Sequence, residues 1–237
     1  MPKKLSKPSA SVSTIGTTTS SSTADPSLPS FLTDGLPIPS LFVFDLDYTL
    51  WPFWVDTHVT PPIKPTPPAS TPYTTSATDR TGDTFTFYSD VPSIIHTLSS
   101  TPKVRIAVAS RTHAPELARD MLKLLYVGPP PGSQQQGGGE GGEGRKRDKG
   151  SSSNKPKRAL DLFDGGLEIY PSSKIRHMEA LAKRNGVRYE EILFLDDESR
   201  NRDTESLGVT MWLVPDGVTW REVEDGVREW RARRGIR

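Results

Sequence analysis

Two aspartates at the end of an apolar segment are the residues in this sequence best suited to chemistry. Four apolar residues, Leu41 to Phe44, indicate a strand that is buried on both faces of a parallel sheet. Asp45 and Asp47 follow at i and i+2, so in an extended chain their side chains point to the same side. Buried carboxylates are costly unless they bind a cation or transfer protons. We therefore expect a functional site at this end of the strand, where open α/β sheets bind ligands.

Polar side chains also follow two later apolar segments. Ser110 follows a second predicted buried strand, and Asp196 and Asp197 follow a third. Lys174 lies between them in the chain, at the start of a predicted helix. Because parallel strands end at the same edge of a sheet, these side chains should meet near the first two aspartates.

Hydrophobic periodicity predicts an α/β fold in which strands and helices alternate. This alternation favours a parallel sheet of the Rossmann type with helices on both faces. The predicted strands cover about 41–46, 84–88, 104–109, 167–170, 192–195 and 210–214, and the predicted helices about 91–99, 113–126, 174–185 and 220–230.

The composition excludes several kinds of site and partner. The chain has 237 residues, a formal net charge of +1 and no Cys, which excludes disulfides, thiolate metal ligands and Cys nucleophiles. The balanced charge predicts neither a nucleic-acid nor a membrane partner, and no apolar run reaches the roughly 20 residues of a transmembrane helix. Without a secretory signal, we expect a cytoplasmic protein. A basic run at 145–149 would indicate a nuclear protein if it acts as a localisation signal.

Two low-complexity segments are predicted to be disordered. Residues 1–40 contain sixteen Ser or Thr, and residues 128–158 form a Gly-rich, basic insertion. Neither buries enough apolar surface to offset the entropy of ordering, although four apolar residues of the tail could still pack where it meets the domain. The rest of 41–237 is predicted to be a single domain with a minimal, hairpin-like cap at 56–90. The four apolar tail residues are Phe31, Leu32, Leu36 and Ile38.

This set of side chains suits phosphoryl transfer. Asp45 and Asp197 can hold an oxygen-seeking cation such as Mg²⁺. The cation offsets the repulsion between an anionic nucleophile and an anionic phosphate. Lys174 and the Ser110 hydroxyl can hold the phosphoryl oxygens.

The same segments resemble the four motifs of the haloacid dehalogenase (HAD) superfamily. Within it, the chain is similar over about 41–230 to the eukaryotic magnesium-dependent, acid phosphatase-like family. The matching strings are Phe-Asp-Leu-Asp-Tyr-Thr-Leu-Trp-Pro-Phe-Trp-Val-Asp-Thr-His-Val from residue 44, Ala-Ser-Arg-Thr from 109, Ile-Tyr-Pro-x-Ser-Lys from 169 and Phe-x-Asp-Asp-Glu-x-Arg-Asn from 194.

The resemblance implies a role for each matching residue. Asp45 would be the nucleophile that forms an aspartyl-phosphate, and Asp47 would be the general acid and then the general base. Mg²⁺ would be held by Asp45, by the backbone carbonyl of Asp47 and by Asp197, with Asp196 as a supporting or alternative ligand. The substrate would be bound by Leu46 through its amide and by Asp47, Ser110, Arg111 and Lys174.

Several side chains leave alternatives open. The aromatic residues Trp51, Phe53 and Trp54 either fold a loop onto the domain edge or line the substrate pocket, where they would stack on an aromatic leaving group. Arg111 either contacts phosphate or pairs with a carboxylate at the sheet edge. His58 is interpreted as a loop or pocket-wall residue.

Three functions are compatible with these motifs. The first is a phosphatase with an open site for a phosphorylated small molecule or phosphoprotein, with phosphotyrosine and sugar phosphates as candidate substrates. The second is a phospho-accepting signalling domain, in which Asp47 would have no role and the acidic pair would belong on the first strand. The third is a non-catalytic phosphate-binding module, against which the intact pair of Asp45 and Asp47 argues. The sequence does not indicate an oligomeric state.

Overall fold

The computed structural model describes residues 29–66, 73–128 and 155–237. Its strands are β1 (Leu41–Phe44), β2 (Lys64–Pro65), β3 (Ser76–Thr78), β4 (Thr84–Thr86), β5 (Arg105–Ser110), β6 (Tyr126–Val127), β7 (Lys157–Arg158), β8 (Gly166–Ile169), β9 (Ile192–Asp196) and β10 (Thr210–Leu213). Its α-helices are α1 (Val55–His58), α2 (Val91–Ser100), α3 (Pro115–Leu124), α4 (Lys174–Asn185) and α5 (Trp220–Ala232). Short 3₁₀ helices lie at Ser30–Leu32, Ala159–Leu162, Tyr189–Glu191 and Ser199–Leu207.

A parallel sheet forms the centre of the described structure. Its strand order is β10–β9–β1–β5–β8, and every pairing in it is parallel. Phe44 at the end of β1 pairs with Val108 of β5 and with Leu195 of β9. The carboxyl ends of these three strands therefore meet at one edge, and the predicted Rossmann-type sheet is confirmed.

Helices cover both faces of this sheet, as predicted. Phe42 and Phe44 of β1 belong to a core shared with α2, α3 and α5, whereas Leu41 and Val43 face a second core shared with α4. All four residues of β1 are fully buried. The unbroken apolar run of β1 thus follows from its position in the middle of a sheet with two covered faces.

Local signals fix where α4 begins and ends. Ser173 caps the helix, because its side chain accepts a hydrogen bond from the backbone N–H of Arg176 (3.3 Å). Gly186 ends the helix at φ 64°, a conformation that glycine adopts without steric cost. These caps place Lys174 at the first position of the helix, next to the sheet edge.

The predicted cap is present but has one strand more than a hairpin. Strands β2, β3 and β4 form a small antiparallel sheet between α1 and α2. The strand predicted at 84–88 is confirmed, but in the structure it covers only Thr84–Thr86. Asp79 closes the turn before it by accepting hydrogen bonds from the backbone N–H groups of Thr81, Gly82 and Asp83 at 2.8, 3.0 and 3.1 Å.

Both segments that were predicted to be disordered include residues that are folded in the structure. Residues 29–40 pack on the folded unit, since Phe31 is buried and Arg231 of α5 holds the Asp34 carboxylate at 2.6 and 3.0 Å. At the insertion, β6 pairs with β7, so Lys157 and Arg158 are also folded. The predicted boundaries at 40 and 158 are therefore wrong, while residues 1–28 and 129–154 lie outside the described residues. None of the described helices has the length and apolar character needed to cross a membrane.

We predict that Phe31→Ala destabilises the protein by about 2 kcal/mol, because a buried phenyl ring would leave a cavity. The value lies at the low end for such a change, since a terminal segment can detach locally. Urea unfolding measures the loss. Leu36→Ala in the same segment is the control, because Leu36 is 38% exposed and its truncation should cost well under 1 kcal/mol. Equal stabilities for the two variants would show that this segment does not belong to the folded unit.

Candidate active site

The predicted polar residues meet in one cleft at the carboxyl ends of β1, β5 and β9. The cleft has a volume of about 280 Å³. Two of the predicted residues, Leu46 and Asp196, are fully buried rather than part of its lining. The lining consists of Asp45, Asp47, Trp54, Asp56, Ser110, Arg111, Thr112, His113, Lys174, Asp197, Glu198 and Arg200.

Lys174 lies buried at the floor of the cleft between two carboxylates. Its Nζ is 2.6 Å from Oδ1 of Asp45 and 2.9 Å from Oδ2 of Asp196, and it donates to the backbone carbonyl of Ala109 at 2.5 Å. Three acceptors thus satisfy the three donors of the ammonium group. Burial alone would lower the pKa of Lys174, but the charges of Asp45 and Asp196 raise it above the usual range. Lys174 is therefore a permanent cation.

Asp45 is buried beside this cation. Burial raises the pKa of the Asp45 carboxyl well above its usual range, and the Lys174 ammonium opposes that shift. The negative charge of Asp196 raises the pKa of Asp45 further. A second positive charge near Asp45 would favour the carboxylate that a nucleophile requires.

The two aspartates that follow one another at the end of β9 have different surroundings. Asp196 is fully buried, and its oxygens accept hydrogen bonds from the Glu198 amide (2.8 Å) and the Asn201 side chain (both 2.9 Å) in addition to the Lys174 contact. Asp197 lines the cleft. Burial, with the neighbouring charges of Asp196 and Glu198, raises the pKa of Asp197 to about 6. The geometry supports Asp197 as a direct metal ligand and Asp196 as the partner of Lys174.

The donor atoms of the site fit a divalent cation. Asp45, Asp196 and Asp197 each place a carboxylate oxygen within 4.8 Å of the others. Oxygen donors of this kind are the ligands that Mg²⁺ prefers. The cleft lining contains five Asp or Glu but only three Lys or Arg residues, so it would repel a phosphate dianion without an added positive charge.

Asp47 carries the second carboxyl group of the cleft. Its Oδ1 accepts hydrogen bonds from the indole N–H of Trp51 (2.7 Å) and from the backbone N–H of Val55 (3.2 Å). Burial raises the pKa of Asp47 to about 6, and these two hydrogen bonds limit the shift. A carboxyl group with this pKa can donate and accept a proton near neutral pH.

Ser110 is the last residue of β5, Arg111 follows it, and both line the cleft. The Ser110 hydroxyl accepts a hydrogen bond from the amide of Thr112 at 3.4 Å. Arg111 donates to Oδ1 of Asn201 at 3.2 Å and, within the described residues, forms no ion pair with a carboxylate. The interpretation that Arg111 pairs with a carboxylate is therefore wrong for this structure, and its guanidinium is available to the cleft.

The aromatic segment is split between the core and the cleft. Trp51 and Phe53 are 0% and 5% exposed and stack on each other at 5.2 Å, so their interpretation as pocket wall is wrong. Trp54 is 50% exposed and lines the cleft. His58 supports it, since its Nδ1 accepts from the Trp54 amide at 3.0 Å and the two rings stack at 5.5 Å.

Sequence reasoning assigned no role to several residues that the structure brings to the site, and two of them, Asn201 and Asp56, contact other residues of the site. Asn201 is buried and joins Asp196 to Arg111 through its side-chain amide. Asp56 lines the cleft and accepts a hydrogen bond from the backbone N–H of His113 at 3.2 Å. Asn201 ends the matching string Phe-x-Asp-Asp-Glu-x-Arg-Asn, and Asp56 lies near the end of the matching string that begins at residue 44. Their positions within these strings were the signal from which a role in the site could have been predicted.

Comparison with known proteins places this chain in a family. A family model described as Acid Phosphatase matches residues 37–233. The chain is 39% identical over 175 residues to a HAD-like hydrolase superfamily protein of Schizosaccharomyces pombe, covering 74% of this chain and 85% of that protein. It is 34% identical over 193 residues to Magnesium-dependent phosphatase 1 of Homo sapiens, covering 80% of this chain and 86% of that protein.

A solved HAD-superfamily hydrolase from Ehrlichia chaffeensis aligns with a TM-score of 0.46 at 11% identity, covering 82% of this chain and 98% of that one. The family model spans most of the chain, and both sequence relatives are matched over most of their length. The chain therefore belongs to the acid phosphatase family, among the magnesium-dependent phosphatases of the HAD superfamily.

Proposed function

We propose that this protein is a Mg²⁺-dependent phosphatase that hydrolyses phosphate monoesters through an aspartyl-phosphate on Asp45. One observation carries the proposal: a buried carboxylate held by Lys174 and a second carboxyl group, Asp47, share a cleft that is lined by more acidic than basic side chains. The first group is suited to nucleophilic attack and the second to proton transfer.

The residues around the cleft divide into a metal side and a phosphate side. Asp45, Asp197 and the backbone carbonyl of Asp47 would hold Mg²⁺, which when bound neutralises negative charge on the phosphate and the carboxylates. The phosphoryl oxygens would be held by hydrogen-bond donors at the cleft, because charge-assisted hydrogen bonds are strongest in a site with little water. These donors would be the Ser110 hydroxyl and the Arg111 guanidinium, which line the cleft. Lys174, whose three donors are already paired, would contribute its positive charge. The Leu46 amide, which the resemblance implies as a further donor, belongs to a residue that is fully buried in this structure.

The reaction consists of two displacements at phosphorus. In the first, the Asp45 carboxylate attacks phosphorus, the bond from phosphorus to the ester oxygen breaks, and Asp47 gives its proton to that oxygen. In the second, Asp47 takes a proton from a water molecule that attacks phosphorus, and the bond between Asp45 and the phosphoryl group breaks to release phosphate. Dividing one difficult hydrolysis into two steps lowers each barrier.

The substrate would be an aryl phosphate such as phosphotyrosine, or a sugar phosphate, carried by a protein or free. The small cap of β2 to β4 contributes no residue to the cleft lining, so the cleft would admit a phosphorylated side chain. The exposed ring of Trp54 at the rim supports an aromatic leaving group, because offset or edge contacts between rings are favourable.

The absence of Cys fits a reducing compartment such as the cytoplasm.

We predict that Asp45→Asn lowers kcat for 4-nitrophenyl phosphate in the presence of Mg²⁺ by at least about 10³-fold, because an amide cannot act as the nucleophile. Initial-rate kinetics with an EDTA control measure the effect. The matched control is Asp120→Asn on α3, whose half-exposed carboxylate contacts Lys123 far from this chemistry, and it should leave kcat unchanged.

An Asp45→Asn variant as active as the natural protein would exclude Asp45 as the nucleophile. A natural protein that accumulates a stable phospho-adduct without turnover would instead indicate a phospho-accepting signalling domain. No reaction at all would indicate a phosphate-binding module.

We also predict different effects for the two adjacent aspartates. Asp197→Asn should raise the Mg²⁺ dissociation constant by about 10- to 100-fold with little change in stability, because Asp197 lies at the cleft surface. Asp196→Asn should lower the free energy of unfolding by about 3 kcal/mol, because Lys174 would lose one of its two buried carboxylates. Calorimetric Mg²⁺ titration and urea unfolding measure the two quantities. The opposite pattern would reverse the assignment of ligand and Lys174 partner.

A further inference from the structure

Trp51 combines complete burial with a polar contact to the site. Its side chain is 0% exposed and stacks between Phe53 at 5.2 Å and Phe87 at 6.1 Å, deep in an apolar core. A buried indole N–H needs an acceptor, and this one donates to Oδ1 of Asp47 at 2.7 Å. The core of the domain is thus connected directly to a carboxyl group of the cleft.

A second donor engages the same oxygen. The backbone N–H of Val55, the first residue of α1, lies 3.2 Å from Oδ1 of Asp47. No donor among residues 29–66, 73–128 and 155–237 contacts Oδ2. The Asp47 carboxyl group is therefore held by one oxygen, and Oδ2 remains for the cleft that Asp47 lines.

The indole contact is not needed to close the turn that contains Asp47. The backbone already closes it, since the N–H of Tyr48 donates to the carbonyl of Trp51 at 2.8 Å and the N–H of Leu50 donates to the carbonyl of Leu46 at 2.8 Å. The indole hydrogen bond, like that of the Val55 amide, instead restricts the rotation of the Asp47 carboxyl group, which the hydrogen bonds that close the turn do not touch.

We propose that Trp51, together with the Val55 amide, is a positioning residue that fixes the Asp47 carboxyl group so that Oδ2 delivers the proton to the leaving group. This inference rests on the proposed function. In the step it concerns, the bond from phosphorus to the ester oxygen breaks while the proton moves from Oδ2 to that oxygen. With both donors on Oδ1, the proton of the neutral carboxyl group is placed on Oδ2, the oxygen that no described donor engages.

The test compares esters with a good and a poor leaving group. The value of kcat/KM is measured with 4-nitrophenyl phosphate, whose leaving group departs without protonation, and with an alkyl phosphate, whose leaving group needs a proton. For Trp51→Phe we expect kcat/KM for the alkyl ester to fall about tenfold more than for the aryl ester, within the range of general-acid effects. A merely structural role of Trp51 would lower both values by the same factor.

Two further variants make the result specific. Phe87→Leu disturbs the other face of the Trp51 ring without touching Asp47, so the ratio of the two kcat/KM values should equal that of the natural protein. Val55→Pro removes the second donor at a first-turn position that proline suits, and Trp54 before it already has the extended conformation (φ −87°, ψ 119°) that precedes proline. It should shift the ratio in the same direction as Trp51→Phe, and it provides the test if Trp51→Phe does not fold.

An unchanged ratio in both Trp51→Phe and Val55→Pro would overturn the inference. So would a shift in Phe87→Leu as large as that in Trp51→Phe, because packing would then explain the effect. Failure of the proposed function is a separate result, since the natural protein would then hydrolyse neither ester.

Discussion

A buried ammonium group between two carboxylates holds the site together. Lys174 contacts Asp45 at the end of β1, Asp196 at the end of β9 and the Ala109 carbonyl near the end of β5. Removing an ion from water costs several kcal/mol. The Lys174 ammonium and the Asp45 and Asp196 carboxylates can therefore be buried as charges only while they contact one another. The contact therefore fixes the start of α4 against three neighbouring strands and defines the floor of the cleft.

The aspartates of the site differ in their contacts because their surroundings differ. Asp196 is fully buried and is contacted by Lys174, Asn201 and a backbone amide. Asp45 shares Lys174 but reaches the cleft, and Asp47 is held through one oxygen by a core indole. Because more acidic than basic side chains line the cleft, binding a phosphate depends on a cation, and a metal requirement follows from the charge of the site.

The sequence was most informative where burial and periodicity are strong. Apolar strands that end in Asp45, Ser110 and Asp196 had to meet at one sheet edge, since parallel strands share that edge. The positions of Lys174 and Ser110 at element ends followed from local caps and strand ends. These residues could be predicted because their placement depends on secondary structure rather than on loop geometry.

The remaining features depend on loops and on long-range packing. Trp51, Phe53 and Trp54 lie in a segment without hydrophobic periodicity. The sequence therefore could not show that two of these rings face the core and one faces the cleft. Asn201 lies in the 3₁₀ helix Ser199–Leu207. The path of that helix brings Asn201 to Asp196, and the path could not be predicted from the sequence. In 29–40, the sequence indicated that apolar residues such as Phe31 and Leu36 could pack on the domain, but it could not show that Phe31 is buried while Leu36 is 38% exposed. A strand as short as β2 leaves no pattern from which the third strand of the cap could be predicted.

Trapping of the phosphorylated enzyme tests the central claim most directly. The protein would be mixed with Mg²⁺ and a phosphate ester, quenched during turnover and treated with borohydride, which reduces an acyl phosphate to an alcohol. Peptide mapping by mass spectrometry then locates the reduced side chain. A carboxyl nucleophile at the end of the central strand predicts reduction at Asp45. Reduction at another residue, or none while the ester is being hydrolysed, would contradict it.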